Sequence, residues 1–136
     1  MLSRGVGALL WISLTACTVA GPAPMPPAGD WLLVALADDQ SVPVDPPLTA
    51  SFSTDAVQGS AGCNRYRGGW RLTDAGGLAI GPLATTKRAC RGPVMAREQA
   101  FLARLQAVED YRLENGMLLM VYNTSEVRGT LRFRPR

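Results

Sequence analysis

The sequence predicts an α+β fold, an antiparallel sheet with a single helix packed on it, and three observations carry that prediction. Short segments alternate apolar and polar residues at strand period between clusters of turn residues. One run, beginning near Pro93, repeats at helical period instead. Asn115-Gly116 joins two of the alternating segments through the residue pair that a two-residue type I′ turn prefers.

Of the 136 residues, the first 17 read as a signal segment. Arg4 precedes an apolar run over residues 5–14, about half the length that a membrane-spanning helix requires. The run ends in Leu14-Thr15-Ala16-Cys17, which resembles a bacterial lipobox with Cys17 as the lipidated residue. Thr18 rather than Asp follows, and in lipoproteins of Gram-negative type that goes with outer-membrane sorting. The expected location is therefore the outer membrane, facing the periplasm. An ordinary signal peptide that contains a cysteine is the alternative. Residues 18–29 are rich in Pro and Gly and form an extended tether of about 3.1 Å per residue. Residues 30–136 then make one domain of roughly 110 residues, enough to bury about two thirds of its surface.

Within that domain, residues 31–36 are apolar on both faces, as in a well-covered strand, and residues 38–47 form a loop. Residues 48–53 alternate like an antiparallel strand with one wet face. Residues 57–72 make two strands with a bend near Gly62-Cys63-Asn64, where Gly and Asn tolerate the backbone angles of a corner. In the second of these, Tyr66, Gly68, Trp70 and Leu72 point one way and Arg65, Arg67, Gly69 and Arg71 the other. Asp74-Ala75-Gly76-Gly77 is a turn, and Leu78-Ala79-Ile80 a short strand stopped by Gly81-Pro82. The helical stripe holds Val94, Glu98, Phe101, Leu105 and Val108, with Pro93 in the first turn. A two-residue turn at Asn115-Gly116 sets Leu113 against Leu118 and Tyr111 against Met120. A last strand over residues 129–134 turns Leu131 and Phe133 inward.

Two cysteines remain once Cys17 is assigned to the lipid. In an oxidising compartment Cys63 and Cys90 are expected to pair, closing a loop worth on the order of 3 to 3.5 kcal/mol. Two buried free thiols are the alternative. Glu98 is the anomaly of the helix, a carboxylate in the apolar stripe, and burial there requires a partner. Arg88 or Arg65 is the expected partner in a structural ion pair, assisted by the positive end of the helix dipole. On that reading Glu98→Gln keeps most of the hydrogen bonding, whereas Glu98→Ala costs a few kcal/mol.

Three segments in order, Gly62-Cys63-Asn64-Arg65-Tyr66 with Gly68, residues 83–90 ending in Thr85-Thr86-Lys87-Arg88-Ala89-Cys90, and residues 94–102 around Glu98, resemble the META domain. This is the HslJ-like family of heat-inducible bacterial lipoproteins. The resemblance runs from about Asp30 to Phe133 and implies a sheet curled into an incomplete, cracked β-barrel with one helix packed against it. The family more often has Thr-Arg-Met-Ala-Cys where this chain has Thr86-Lys87-Arg88-Ala89-Cys90. It brings no catalytic residues to carry over.

The composition narrows the chemistry further. There is no histidine, which excludes imidazole bases, imidazole triads and His-containing metal sites. Without Arg4 the chain has 13 basic and 11 acidic residues, a balance far from that of a nucleic-acid binder. No redox Cys pair, phosphate loop, metal-ligand cluster or activated nucleophile is present, so neither catalytic residue nor cofactor is assigned. The reading is a non-enzymatic, lipid-anchored binding or stress-tolerance module that meets an envelope protein or an anionic lipid or glycan. A carrier of an acyl chain or other apolar molecule in the barrel is the alternative, and a hydrolase using Glu98 with Ser or Thr a third. Arg65, Arg67 and Arg71 share one strand face, and Arg132, Arg134 and Arg136 another. If the two strands are neighbours, these side chains form a basic surface suited to anions.

Overall fold

The computed structural model describes residues 27–43 and 45–136. The signal segment, Cys17 and the tether as far as residue 26 lie outside the described residues. The chain runs through β1 (Gly29–Ala37), β2 (Gln40–Ser41), β3 (Thr49–Phe52), β4 (Ala56–Ser60), β5 (Arg65–Leu72), β6 (Leu78–Ile80) and β7 (Ala84–Thr85). It continues through α1 (Gly92–Gln106), β8 (Val108–Glu114), β9 (Met117–Asn123) and β10 (Arg128–Pro135).

All strand pairings are antiparallel, in the order β6-β5-β4-β3-β1-β10-β9-β8, with β2 added to β1 and β7 to β5. The two ends of this path, β6 and β8, lie against each other without pairing, which leaves one unsealed seam in a nearly closed barrel. Gly77 sits at that seam. A Cβ there would fall 2.3 Å from the Glu109 carbonyl oxygen, so the close approach of the β5–β6 turn to β8 requires glycine.

The inward residues of the strands fill the barrel. Leu33, Val57, Leu78, Leu118, Met120, Leu131 and Phe133 are fully buried, and α1 adds Phe101 and Leu105. Phe101 meets Tyr66 edge-on at 5.8 Å and Phe133 at 6.4 Å, tying the helix to both halves of the sheet. Burying a side chain of this size stabilises by about 2 kcal/mol. Arg104 fastens the C-terminal part of α1, donating to the Leu36 carbonyl at 2.8 Å and lying 5.4 Å over the Tyr122 ring.

Asn115 and Gly116 have φ of 51° and 76°, the left-handed values that a type I′ turn needs, and Leu113 pairs with Leu118 and Tyr111 with Met120. Three boundaries and the burial of one residue differ from the sequence reading. Pro27 is fully buried and its carbonyl accepts the Trp31 indole N–H, while Gly29 already pairs with Phe52, so the end of the tether belongs to the fold. The loop over residues 38–47 contains the short strand β2. Thr49, expected on a wet face, is buried because its hydroxyl accepts the Ser60 N–H from the adjacent β4 at 2.9 Å. Val108 starts β8, since α1 ends at Gln106.

A saturated buried amide and an open arginine trough

A disulfide joins Cys63 and Cys90, with Cα atoms 6.0 Å apart, and draws the bend before β5 against the segment after β7. Gly62, with φ of 100°, turns that bend. Next to it, Asn64 is buried and uses every hydrogen-bonding position of its side chain. Its amide nitrogen donates to Glu98 Oε1 at 2.7 Å and to the Arg88 carbonyl at 3.1 Å. Its oxygen accepts the Thr86 hydroxyl at 2.8 Å and the Arg88 N–H at 2.7 Å. The backbone N–H of Asn64 donates to Glu98 Oε2 at 2.6 Å. Both amide donors and both lone pairs of the oxygen are satisfied, which also fixes the orientation of the amide.

Glu98 is therefore buried without a cation, contrary to the expected ion pair with Arg88 or Arg65. It is 4% exposed, and the ion pairs among the described residues are Arg128–Glu109 and Arg132–Asp38. Both arginines do reach the node, but through main-chain atoms. Arg88 contributes its N–H and carbonyl to Asn64, and Arg65 exchanges main-chain bonds with Thr86, donating to the hydroxyl and accepting the Thr86 N–H. Two short, directed N–H donors offset the desolvation of the carboxylate, and the guanidiniums avoid desolvation by staying in water. The helix-dipole argument also fails, because α1 starts at Gly92 and has no acidic residue in its first turn.

Tyr66 extends this rigid base. Its hydroxyl donates to the Thr49 carbonyl at 2.7 Å, and burial pushes the ionisation of the phenol well above its ordinary range. Gly59, paired with Tyr66, leaves room for that carbonyl, since a Cβ would fall 2.1 Å from the Thr49 oxygen.

The expected basic surface takes a different form. Strands β5 and β10 are not neighbours, because β4, β3 and β1 stand between them. Arg132 pairs with Asp38 at 3.4 Å, and Arg134 turns back to the Pro135 carbonyl at 3.4 Å. Arg71 lies further along β5, beside a separate depression formed with Trp70 and Ile80. Arg65 and Arg67 nevertheless share a face with Arg136. One row of register partners runs Asp30–Ser51 from β1 to β3, Ser51–Gln58 to β4 and Gln58–Arg67 to β5, and the Arg136 N–H binds the Asp30 carbonyl. The intervening side chains are short, so a trough of about 310 Å³ opens, lined by Thr49, Ser51, Gln58, Ser60, Arg65 and Arg136.

Sequence reasoning placed Asn64 at the bend and, with Thr86, in the family motif, but gave neither side chain a role, and it assigned none to Gln58 or Ser60. Asn64 has no positive φ, so its side chain rather than its backbone tolerance explains its presence. A signal was available, because an amide beside the disulfide can donate and accept at once, which neither arginine can do.

Among the described residues no helix is long and apolar enough to cross a membrane, and no three His, Cys, Asp or Glu side chains are grouped to hold a metal ion. The fold is similar to an NMR structure of a protein from Burkholderia xenovorans, at 28% identity and TM-score 0.59 over 79% of this chain and 81% of that one. A second NMR structure matches at 23% identity and TM-score 0.60, over 78% of this chain and 87% of the other. A crystal structure of a DUF4847 family protein from Bacteroides vulgatus matches at 15% and 0.52, over 80% and 93%. The last two likenesses concern the fold alone. No curated protein matches the chain. The family model of the META domain matches residues 25–134, which takes in the disulfide, the Asn64–Glu98 node, the helix and the barrel. The chain belongs to the META domain family.

Proposed function

We propose that this protein is a non-enzymatic, lipid-anchored module of the outer membrane that faces the periplasm and binds another envelope component. The observation that carries the reading is the saturation of the Asn64–Glu98 node. The motif residues that would be the natural candidates for chemistry are consumed in holding three segments together. Glu98 is out of reach of solvent and accepts at both oxygens, so a role as a catalytic acid with Ser or Thr is disfavoured. What the fold offers outward instead is arginine on a rigid strand. Carriage of an acyl chain is the weaker reading, because the barrel interior is occupied by its own side chains, Leu33, Met120, Leu131 and Phe133 among them.

The anchor and the binding role are tested together. Intact mass of the mature chain should show acylation at Cys17, and Cys17→Ser should release the protein from the membrane fraction. Crosslinking of the lipidated protein in envelope extract, followed by mass spectrometry of proteins and lipids, should capture a specific partner. Cleavage elsewhere without acyl groups would remove the anchor from the reading. An acyl chain held inside the barrel would favour the carrier.

A further inference from the structure

Building on the reading of this chain as an anchored binding module, we propose that the trough across β3, β4 and β5 is a site for a phosphoryl oxyanion, held between Arg65 and Arg136. Two adjoining depressions, of about 310 and 360 Å³, share Gln58 and Arg65. Together they are lined by Arg65, Arg67 and Arg136, by Ser and Thr hydroxyls and by the Gln58 amide, with no acidic side chain in either lining. Asp30 is the acidic group beside them in register, and it accepts a hydrogen bond from the Ser51 hydroxyl.

Each of these two depressions carries two arginines and no acidic side chain. Arg128 and Arg132 each have a carboxylate partner, whereas the guanidiniums of Arg65 and Arg136, like those of Arg71, Arg88, Arg91 and Arg112, have neither ion pair nor hydrogen bond among the described residues, and these two share one depression. Two like charges on one depression repel each other, and a bound anion turns that repulsion into attraction. A guanidinium presents a planar fork that matches phosphoryl oxygens two at a time, and the Ser60 and Thr85 hydroxyls, which only accept hydrogen bonds among the described residues, can add donors. Preorganisation favours Arg65 in particular. Its main chain is bonded to Thr86, Thr86 is bonded to Asn64, and the Cys63–Cys90 disulfide closes the loop, so the backbone that carries the guanidinium has little freedom left to lose on binding. The trough also lies in register with the start of β1. On the lipid-anchored reading, a polyproline-like spacer of the length of residues 18–26 would span about 28 Å from Cys17, which would keep a membrane phosphate within reach of the site. A soluble phosphate ester offers the same chemistry.

The test uses the oxidised full chain carrying Cys17→Ser, with two probes. Inorganic phosphate is titrated while backbone amides are followed by heteronuclear NMR. Vesicles of phosphatidylglycerol or of phosphatidylcholine alone are sedimented with the protein at about 20 mM and about 150 mM salt. Phosphate should move the amides of Gln58, Ser60, Arg65 and Thr86. Arg65→Ser/Arg136→Ser should weaken binding by about tenfold or more, while Arg128→Ser, which removes a paired arginine, leaves it unchanged. Retention on phosphatidylglycerol that the double variant loses identifies a lipid headgroup as the source. A response to inorganic phosphate alone identifies a soluble ester. No response to either probe, or an equal response from the double variant, overturns the site. In that event capture of a partner by crosslinking still stands as evidence for the anchored binding module, so the two readings fail separately.

Discussion

Asn64 and Arg65 are adjacent in the chain, yet the structure uses them in opposite ways. Asn64 faces inward at 4% exposure with every polar position satisfied, and Arg65 faces outward with its guanidinium unpaired among the described residues. Strand alternation alone would put them on different faces, but it does not explain why one is saturated and the other open. The contrast teaches that a dense motif can have its architectural and its binding residues interleaved. Removing an inward residue should cost stability, and removing an outward one should cost binding.

The most severe way to break that division is Asn64→Asp. It deletes the donors to Glu98 Oε1 and to the Arg88 carbonyl, and it sets a second carboxylate against the first in a buried site. A loss of about 3 to 5 kcal/mol in urea unfolding is expected. Removing the disulfide by Cys63→Ala/Cys90→Ala comes next. The crosslink spans a sequence separation of 27, and its loss should cost about 3.5 kcal/mol through the unfolded chain. Glu98→Gln is smaller but more diagnostic. Both oxygens of Glu98 accept from N–H groups, so a glutamine must turn its own NH₂ toward one of those donors. The substitution should therefore cost about 2 kcal/mol, where the sequence reading expected most of the hydrogen bonding to be kept.

Tyr66 sharpens the comparison through pH. The folded protein holds its phenol neutral well above the usual tyrosine range. Its contribution is fully present below about pH 10 and declines above it, as the unfolded chain ionises while the folded one does not. Stability should fall between pH 9 and pH 11 with a slope that is shallower in Tyr66→Phe by up to about 1.4 kcal/mol per pH unit. An identical slope in the variant would mean that the phenol titrates normally.

Much of this fold could be read from local rules. Asn115-Gly116 sets its register because a two-residue turn leaves no slack, and the alternation of β5 places Tyr66 inside and Arg65 and Arg67 outside without further information. The helical stripe likewise identified Glu98 as buried. What local rules could not supply is which strands become neighbours. The condition that the Arg65 and Arg132 strands adjoin is not met, because β4, β3 and β1 separate them. The trough appears only when residues from β3, β4 and β5 are placed side by side with Arg136. Glu98 shows the same limit in its choice of partner. A charged residue invites the search for an opposite charge, yet a neutral amide with two free hydrogens and a nearby main-chain N–H meets the need at lower desolvation cost.

The central claim, that Glu98 is held by Asn64 and not by an arginine side chain, is tested most directly by two double-mutant cycles measured by urea unfolding. One combines Glu98→Ala with Asn64→Ala, and the other combines Glu98→Ala with Arg65→Ala. The structure predicts a coupling of about 1.5 kcal/mol or more in the first cycle and none measurable in the second. A strong coupling between Glu98 and Arg65, with little between Glu98 and Asn64, would contradict it.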